Sequence, residues 1–348
     1  MKKLIRLAIA AGAVMATLAF TGSAWAAYQP RLIVTSLTNG ANKPTTMLLE
    51  HLQTANDDAT AKDTIYVPLG YQADLTQAPG TKIGDVDATL ILRALGNTTV
   101  SATGPVVVDT AVNWAQQGVR CTGTATHEAI WRLDITVQGS TLHVPIFVDH
   151  ATGADATFSS VKIQLCLSPP GDPTIPFGAQ LLDAFFDVQK VFTSPANTQD
   201  RVWRGVMTPW AAGPPPHLNA AGTVESQAVV PGKVAFSAKA KSLKRKVVQI
   251  SGKVLVDGAG AAASVQFLKP SNLNKPIKTV RTSRSGAYSW RKKFTKKTRL
   301  LVVAVGVSDL GACPVTPFPP NLVPGGCVTA TRSFGAATLV TAKPRNKR

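Results

Sequence analysis

VVQISGKVLVDG, residues 247–258, is the stretch whose pattern decides the fold. Val248, Ile250, Val254 and Val256 fall on one side of an extended chain, and Gln249, Ser251 and Lys253 fall on the other. That period of two belongs to a half-buried β-strand. Asp257 and Gly258 then supply a turn, because glycine tolerates a positive φ and aspartate bonds its own backbone. Downstream, AAASVQFLKP (261–270) leads to TSRSGAYSW (282–290), where Ser285 and Gly286 mark a second turn. Tyr288, Trp290 and Phe294 beyond it again share one face. LLVVAVGV (300–307) is apolar on both faces and rich in valine, the mark of a central strand.

The same alternation recurs upstream. Trp131, Leu133, Ile135 and Val137 alternate with Arg132, Asp134, Thr136 and Gln138. Gly139 and Ser140 fit a two-residue type II′ turn. Such a turn pairs Gln138 with Thr141 and sets Val137 against Leu142, Ile135 against Val144, Leu133 against Ile146 and Trp131 against Val148. All eight apolar side chains then share a face, and a slip of one residue would turn half of them into water. Pro145 has no N–H for a ladder and is expected at a local edge. Residues 160–167 point Val161, Ile163, Leu165 and Leu167 inward and Cys166 outward, so a disulfide there should tie a surface loop. Residues 178–193 carry two periods at once: Leu181, Phe185, Val188 and Phe192 at helical spacing, and Leu182, Ala184, Phe186, Val188 and Phe192 at strand spacing. The β surroundings and Pro195 favour a strand. Further strands are expected at 31–37, 87–95, 202–207, 224–230 and 328–343, with turns at 39–44 and 78–84 and a basic connecting segment at 233–246.

The first residues have the layout of a secretory leader. Lys2, Lys3 and Arg6 precede an apolar run at 7–20 and the small-residue site Ala24, Trp25, Ala26. The run is shorter than the roughly 20 residues a spanning helix needs, so cleavage after Ala26 and an exported product are expected. An exported chain meets oxidising conditions. Cys121, Cys166, Cys313 and Cys327 are therefore read as disulfides, paired within each half of the chain. The CxxC spacing of a thiolate zinc site is absent. Charge is divided unevenly: residues 27–225 hold 11 Lys/Arg against 17 Asp/Glu, a net −6, and residues 226–348 hold 23 against 2, a net +21. The expected organisation is all-β, a leader (1–26) followed by two β-sandwich domains, one acidic (27–230) and one strongly basic (231–348).

Ser251-Gly252-Lys253-Val254, then Gly258 with Ala263-Ser264-Val265, then Thr282 with Ser285-Gly286-Ala287-Tyr288 follow an order that resembles the carboxypeptidase-regulatory-like modules of secreted bacterial proteins. That resemblance implies a prealbumin- or immunoglobulin-like sandwich and a mostly non-catalytic role. It covers about 75 residues of the second half, and the cysteine-closed insertion before the last strand departs from it. Trp203 followed by Thr208 and Pro209 resembles uncharacterised secreted β domains and brings no function with it.

Motifs for catalysis are sparse. There is no GxSxG elbow and no GxxxxGK phosphate loop, and no cofactor motif is present. His127, His143 and Asp149 are candidates to gather as a metal site, but without HxH or HxxxH spacing the ordinary reading is surface histidines. The pairs Asp57 with Asp58 and Asp85 with Asp87 lack a DxDxDG calcium loop. Basic clusters are the feature with numbers behind it. Lys239, Lys241, Lys244, Arg245 and Lys246 form one; Arg291, Lys292, Lys293, Lys296, Lys297 and Arg299 form another, beside Trp290 and Phe294. Such density attracts an anionic polymer by electrostatics that salt screens: an acidic polysaccharide, another envelope polymer, or nucleic acid without sequence preference. Two bland readings stand beside it, a lysine-rich strand face that blocks edge pairing and docking on the acidic half. The expected function is a secreted binding or cell-surface structural protein. The alternative is an extracellular hydrolase whose site lies in the first half, which would show as a cleft with convergent acids around His143 or Asp149.

Overall fold

The computed structural model describes residues 28–345 apart from 39, 94–95, 138, 171–178, 212–215 and 271–275; the expected leader lies outside the described residues. The first half holds β1 (Arg31–Ser36), β2 (Pro44–Leu52), β3 (Thr60–Pro68), β4 (Gln72–Ala73), β5 (Lys82–Leu92) and β6 (Thr98–Asp109). After the short helix α1 (Ala115–Thr122) come β7 (Ala129–Val137), β8 (Ser140–His150), β9 (Ser159–Cys166), β10 (Ala179–Thr193), β11 (Arg201–Pro209) and β12 (Val224–Val230). The second half holds β13 (Val234–Ser242), β14 (Val247–Val256), β15 (Ala259–Gly260), β16 (Ser264–Leu268), β17 (Lys278–Arg281), β18 (Ala287–Lys293), β19 (Thr298–Asp309) and β20 (Cys327–Ala342). The chain is all-β, as the alternation requires.

One long sheet runs β1-β2-β10-β5-β6-β7-β8-β9-β3-β11-β12 and continues through β20, β19, β16 and β17. Over the first half it curls around a single apolar cluster that includes Leu32, Met47, Trp131, Phe186, Phe192 and Trp203. Trp131 and Val148 both face this core, fully buried. The β7–β8 hairpin sits two residues from the expected register: Val137 pairs with Ser140, Ile135 with Leu142 and Trp131 with Ile146. A shift of two leaves every side chain on its expected face, so burial does not choose between the registers. Turn geometry does, and Gly139 takes its positive φ (84°) just before Ser140, as the second residue of the connection. Pro145 lies where pairing of β8 with β9 stops, the first β8 residue in that ladder being Ile146.

β10 explains the double periodicity of residues 178–193. Its register with β5 shifts between Leu181 and Asp183, and its register with β2 shifts between Val188 and Phe192, where Lys190 has φ 60°. The first inserts one residue and resets which parity faces the core; the second inserts two, so Val188 and Phe192 stay on the same face. Leu181, Ala184, Phe186, Val188 and Phe192 therefore reach one cluster from a strand whose apolar spacing imitates a helix. Residues 44–52, 98–109 and 234–242 are strands where none was expected, and α1 was also not anticipated. Residues 82–84 belong to β5 rather than to a turn.

β20 joins the two halves. Its first part pairs in parallel with β12, from Glu225–Cys327 to Val229–Arg332, and its remainder pairs antiparallel with β19. The curled sheet does not close by a backbone ladder at β1. Instead, hydroxyls of β20 bond carbonyls of β1 and of the residue just before it, at every second position: Thr329 to Pro30 (2.8 Å), Thr331 to Leu32 (2.8 Å) and Ser333 to Val34 (2.5 Å). The Leu32 amide donates to Ser226 Oγ at 2.9 Å. These side chains occupy the place of a missing strand and satisfy edge groups that burial would otherwise orphan. Thr331→Val, which keeps the shape and removes the donor, is expected to cost about 1–3 kcal/mol in urea unfolding, the penalty for an unpaired buried carbonyl. Thr331→Ser should cost less.

In the second half β14 carries β13 on one side and β18 on the other, and this small sheet covers an apolar cluster shared with β16, β19 and β20. β19 is central, between β16 and β20. Leu300, Val302 and Ala304 face that cluster. Val303 and Val305 face the other way, meeting Leu268, Ile33, Leu48 and Phe185. That second face explains why residues 300–307 are apolar throughout: both sides of the strand are covered. The loop closed by Cys313 and Cys327 reaches across the first half. Phe318 packs against Tyr66 and Phe158, and its amide donates to Glu225 at 2.9 Å.

Candidate functional site

The antiparallel register of the small sheet brings the two basic clusters together. Lys239 pairs with Ser251 and Lys241 with Gln249; Ser251 and Gln249 pair in turn with Ser289 and Arg291. Lys253 pairs with Ser237, and Lys293 with Val247. Directly opposed residues share a face, so Lys239, Lys241, Lys253, Arg291 and Lys293 stand on one exposed side with Ser237, Gln249, Ser251 and Ser289 between them. Val248, Ile250, Val254 and Tyr288 point to the core on the other side. At one end of this face the β13–β14 turn presents Lys244, Arg245 and Lys246, with φ of 55° and 62° at the last two. The Phe294 amide donates to the Lys246 carbonyl at 3.1 Å, which sets that turn beside the exposed Lys296 and Lys297. Residues some fifty positions apart thus form one patch.

Two of the predicted cations stand apart from it. Lys292 lies on the opposite side of β18, its ammonium 5.7 Å from the centroid of Trp290. Arg299 belongs to β19, in the other sheet, and is exposed there. Lys253 is a member that no charge run signals; only the period-two position beside Ser251 places it.

The face is unneutralised. Among the described residues none of these cations is ion-paired. The only two acids of the second half are engaged where the halves meet: Asp309 with Arg31 of β1 at 2.9 Å, and Asp257 with Arg332, which also holds Asp200. Those contacts, not the basic clusters, carry the charge pairing between the halves. The cations also flank two edge strands, where they discourage pairing with another sheet.

The histidines are drawn to separate carboxylates. His127 Nδ1 meets Asp149 at 2.7 Å, His143 Nδ1 meets Asp134 at 2.6 Å, His51 meets Asp63 at 3.0 Å and His150 meets Glu128 at 2.5 Å. His143 does not join His127 and Asp149. Among the described residues no group of three or more His, Cys, Asp or Glu gathers as a metal site. Asp57 accepts the Thr54 amide at 2.6 Å, a loop-closing role.

A chain of hydrogen bonds runs across β6, β7 and β8. Trp114 Nε1 donates to Asp109 (2.9 Å), Arg132 bridges Asp109 (2.7 Å) and Asp134 (2.6 Å), and Asp134 holds His143. Burial opposes ionisation of Asp109, but hydrogen bonds from Trp114, the Thr110 amide and Arg132 prevail and bring its pKa down to about 2. A depressed carboxylate stabilises the fold fully above its unfolded pKa of 3.8, and that contribution is lost as the pH falls toward 2. The Arg132 guanidinium likewise holds the Asp134 carboxyl below its usual range.

Both disulfides join cysteines of the same half, Cys121 to Cys166 and Cys313 to Cys327, and the first ties α1 to the outer side of β9. No helix of the described residues is long and apolar enough to cross a membrane.

No family model and no curated protein matches the sequence. Among solved structures the chain is similar to a crystal structure of a beta-1,2-glucanase from Parabacteroides distasonis, at 10% identity and a TM-score of 0.17, over 92% of this chain and 37% of that one. A likeness of that size carries neither a fold assignment nor an activity.

Proposed function

We propose that the protein is an exported, non-catalytic binding protein whose second half, a sandwich of the immunoglobulin or prealbumin type, holds an anionic polymer of the cell envelope on its outer basic face. The observation that carries this reading is the merging of two distant cation clusters into one exposed patch with no acid among the described residues to neutralise it. Unpaired like charges repel one another and weaken the fold; an anionic chain laid across them relieves that repulsion and releases counterions. The resemblance of residues 251–288 to regulatory-like modules supports a non-catalytic role. The two disulfides and the leader-like first residues support export.

The test is retention on immobilised polyphosphate as a function of NaCl. The intact chain is expected to bind at low salt and to elute on moderate salt. Lys241→Glu, Arg291→Glu and Lys293→Glu together should weaken binding by more than about tenfold and lower the salt slope by roughly one for each cation removed, by analogy with phosphate contacts. Salt-independent retention, or a triple variant that binds like the parent, would remove the reading.

A further inference from the structure

A second surface lies on the first half, far from the basic face in composition and make-up. A groove of about 440 Å³ runs between α1, the outer side of β8 and the ends of β3 and β11. Its wall holds two half-buried indoles, Trp114 and Trp210, together with Lys62, Arg120 and His143. Among the described residues no carboxylate lines it, although this half of the chain carries a net −6. Its volume falls in the range of small-ligand sites, about 300–1,000 Å³.

The wall is held in place from two directions. The Cys121–Cys166 bridge fixes α1 to β9, and Lys62 Nζ donates to the Cys121 carbonyl at 2.9 Å. The hydrogen-bond chain from Trp114 through Asp109, Arg132 and Asp134 ends at His143, so both of its terminal members line the groove. Asp134 engages Nδ1 of His143, which leaves Nε2 for a ligand. Trp210 Nε1 is buried without a hydrogen-bond partner. Burial lowers the pKa of Lys62, and the neighbouring Lys162 adds to the effect.

We infer that this groove is a binding site for a short acidic saccharide, in which the indoles pack against the apolar faces of the sugar rings, Arg120 and Lys62 receive a ring carboxylate, and His143 Nε2 accepts a hydrogen bond from a sugar hydroxyl. Each part of the lining has a use in that assignment. Arg120 offers a planar fork that matches a carboxylate. Half-exposed indoles supply rigid apolar area at low entropic cost. Lys62 is partly desolvated, which strengthens its attraction for an anion. A neutral saccharide would use the indoles and leave the cations idle; an inorganic anion would use the cations and leave the indoles idle. The site does not depend on the basic face, and the two share no residue.

The experiment is isothermal titration of the whole chain with trigalacturonate and with the neutral galactose trisaccharide, in 0.3 M NaCl to screen the basic face. The parent should bind the acidic sugar and not the neutral one. Arg120→Glu, a change at an exposed helix position, should weaken that binding at least tenfold with an unchanged thermal melt. Asp134→Asn, which releases His143, should weaken it to a smaller extent. The Lys241, Arg291 and Lys293 reversal should leave it unaltered. Equal binding of the two sugars, no binding of either, or loss with the basic-face reversal instead of Arg120→Glu would overturn the assignment. The outcome of polymer retention is read separately, so either proposal fails without the other.

Discussion

Replacing Arg204 with alanine is expected to destabilise the protein by about 3–5 kcal/mol, the cost of leaving a buried charge without its partner. Glu225 is fully buried on β12, and its carboxylate accepts from Arg204 Nε at 2.7 Å, from Gln227 Nε2 at 2.8 Å and from the Phe318 amide at 2.9 Å. Arg204 supplies the only charge of opposite sign in that group, lies 3.6 Å from the centre of the Phe318 ring and donates to the Thr316 carbonyl at 3.1 Å. Its removal therefore strips an ion pair and also the platform on which the Cys313–Cys327 loop rests. The double change Arg204→Met with Glu225→Leu removes both charges and should recover most of the loss, because a matched apolar pair avoids desolvation. Urea unfolding checks both: a midpoint within about 0.5 kcal/mol of the parent for Arg204→Ala would refute the account of this contact.

Phe192→Ala should cost a similar amount, about 3–5 kcal/mol, for a different reason. Phe192 is 1% exposed and stands edge-on to Trp203, Trp131 and Tyr71, with ring centroids 5.9, 6.3 and 6.5 Å away. Those rings come from β11, β7 and the turn after β3, so truncation opens a cavity where distant strands converge. Phe192→Leu, closer in volume, should lose less than half as much. Near-ultraviolet circular dichroism provides the second readout, since the edge-on packing of two indoles gives a signal that truncation would flatten. An unchanged spectrum together with a small loss would show that Phe192 does not organise this core.

Much of the β architecture was legible in the residues. Trp131, Leu133, Ile135 and Val137 alternate too regularly for anything but a strand, and their burial follows. Cys166 was placed outside by parity alone, and its bridge to α1 is on that side. Other features were hidden for physical reasons. Residues 234–242 form an edge strand built of Ala, Ser and Lys around Phe236, so little apolar contrast marks its faces. The double period in β10 came from two bulges, which no fixed spacing describes. The hairpin register was missed by two because apolar parity is blind to even shifts. For the candidate sites, the cations were visible as runs, but Lys253 was not, and neither were Trp114, Trp210 and Arg120 as neighbours of His143. Nothing in linear spacing relates a helix at 115–122 to a strand at 140–150.

Period-two alternation determined that the chain is β and which side of each regular strand is buried, and composition alone set how lopsided its charge is, because those properties depend only on the order of residues along the chain. Tertiary structure alone decided that the last strand belongs to both halves, that hydroxyls of Thr329, Thr331 and Ser333 stand in for a missing ladder, and that separate cation runs merge into one face. Those outcomes depend on contacts between residues tens to hundreds of positions apart, which backbone pairing sets and local pattern does not encode.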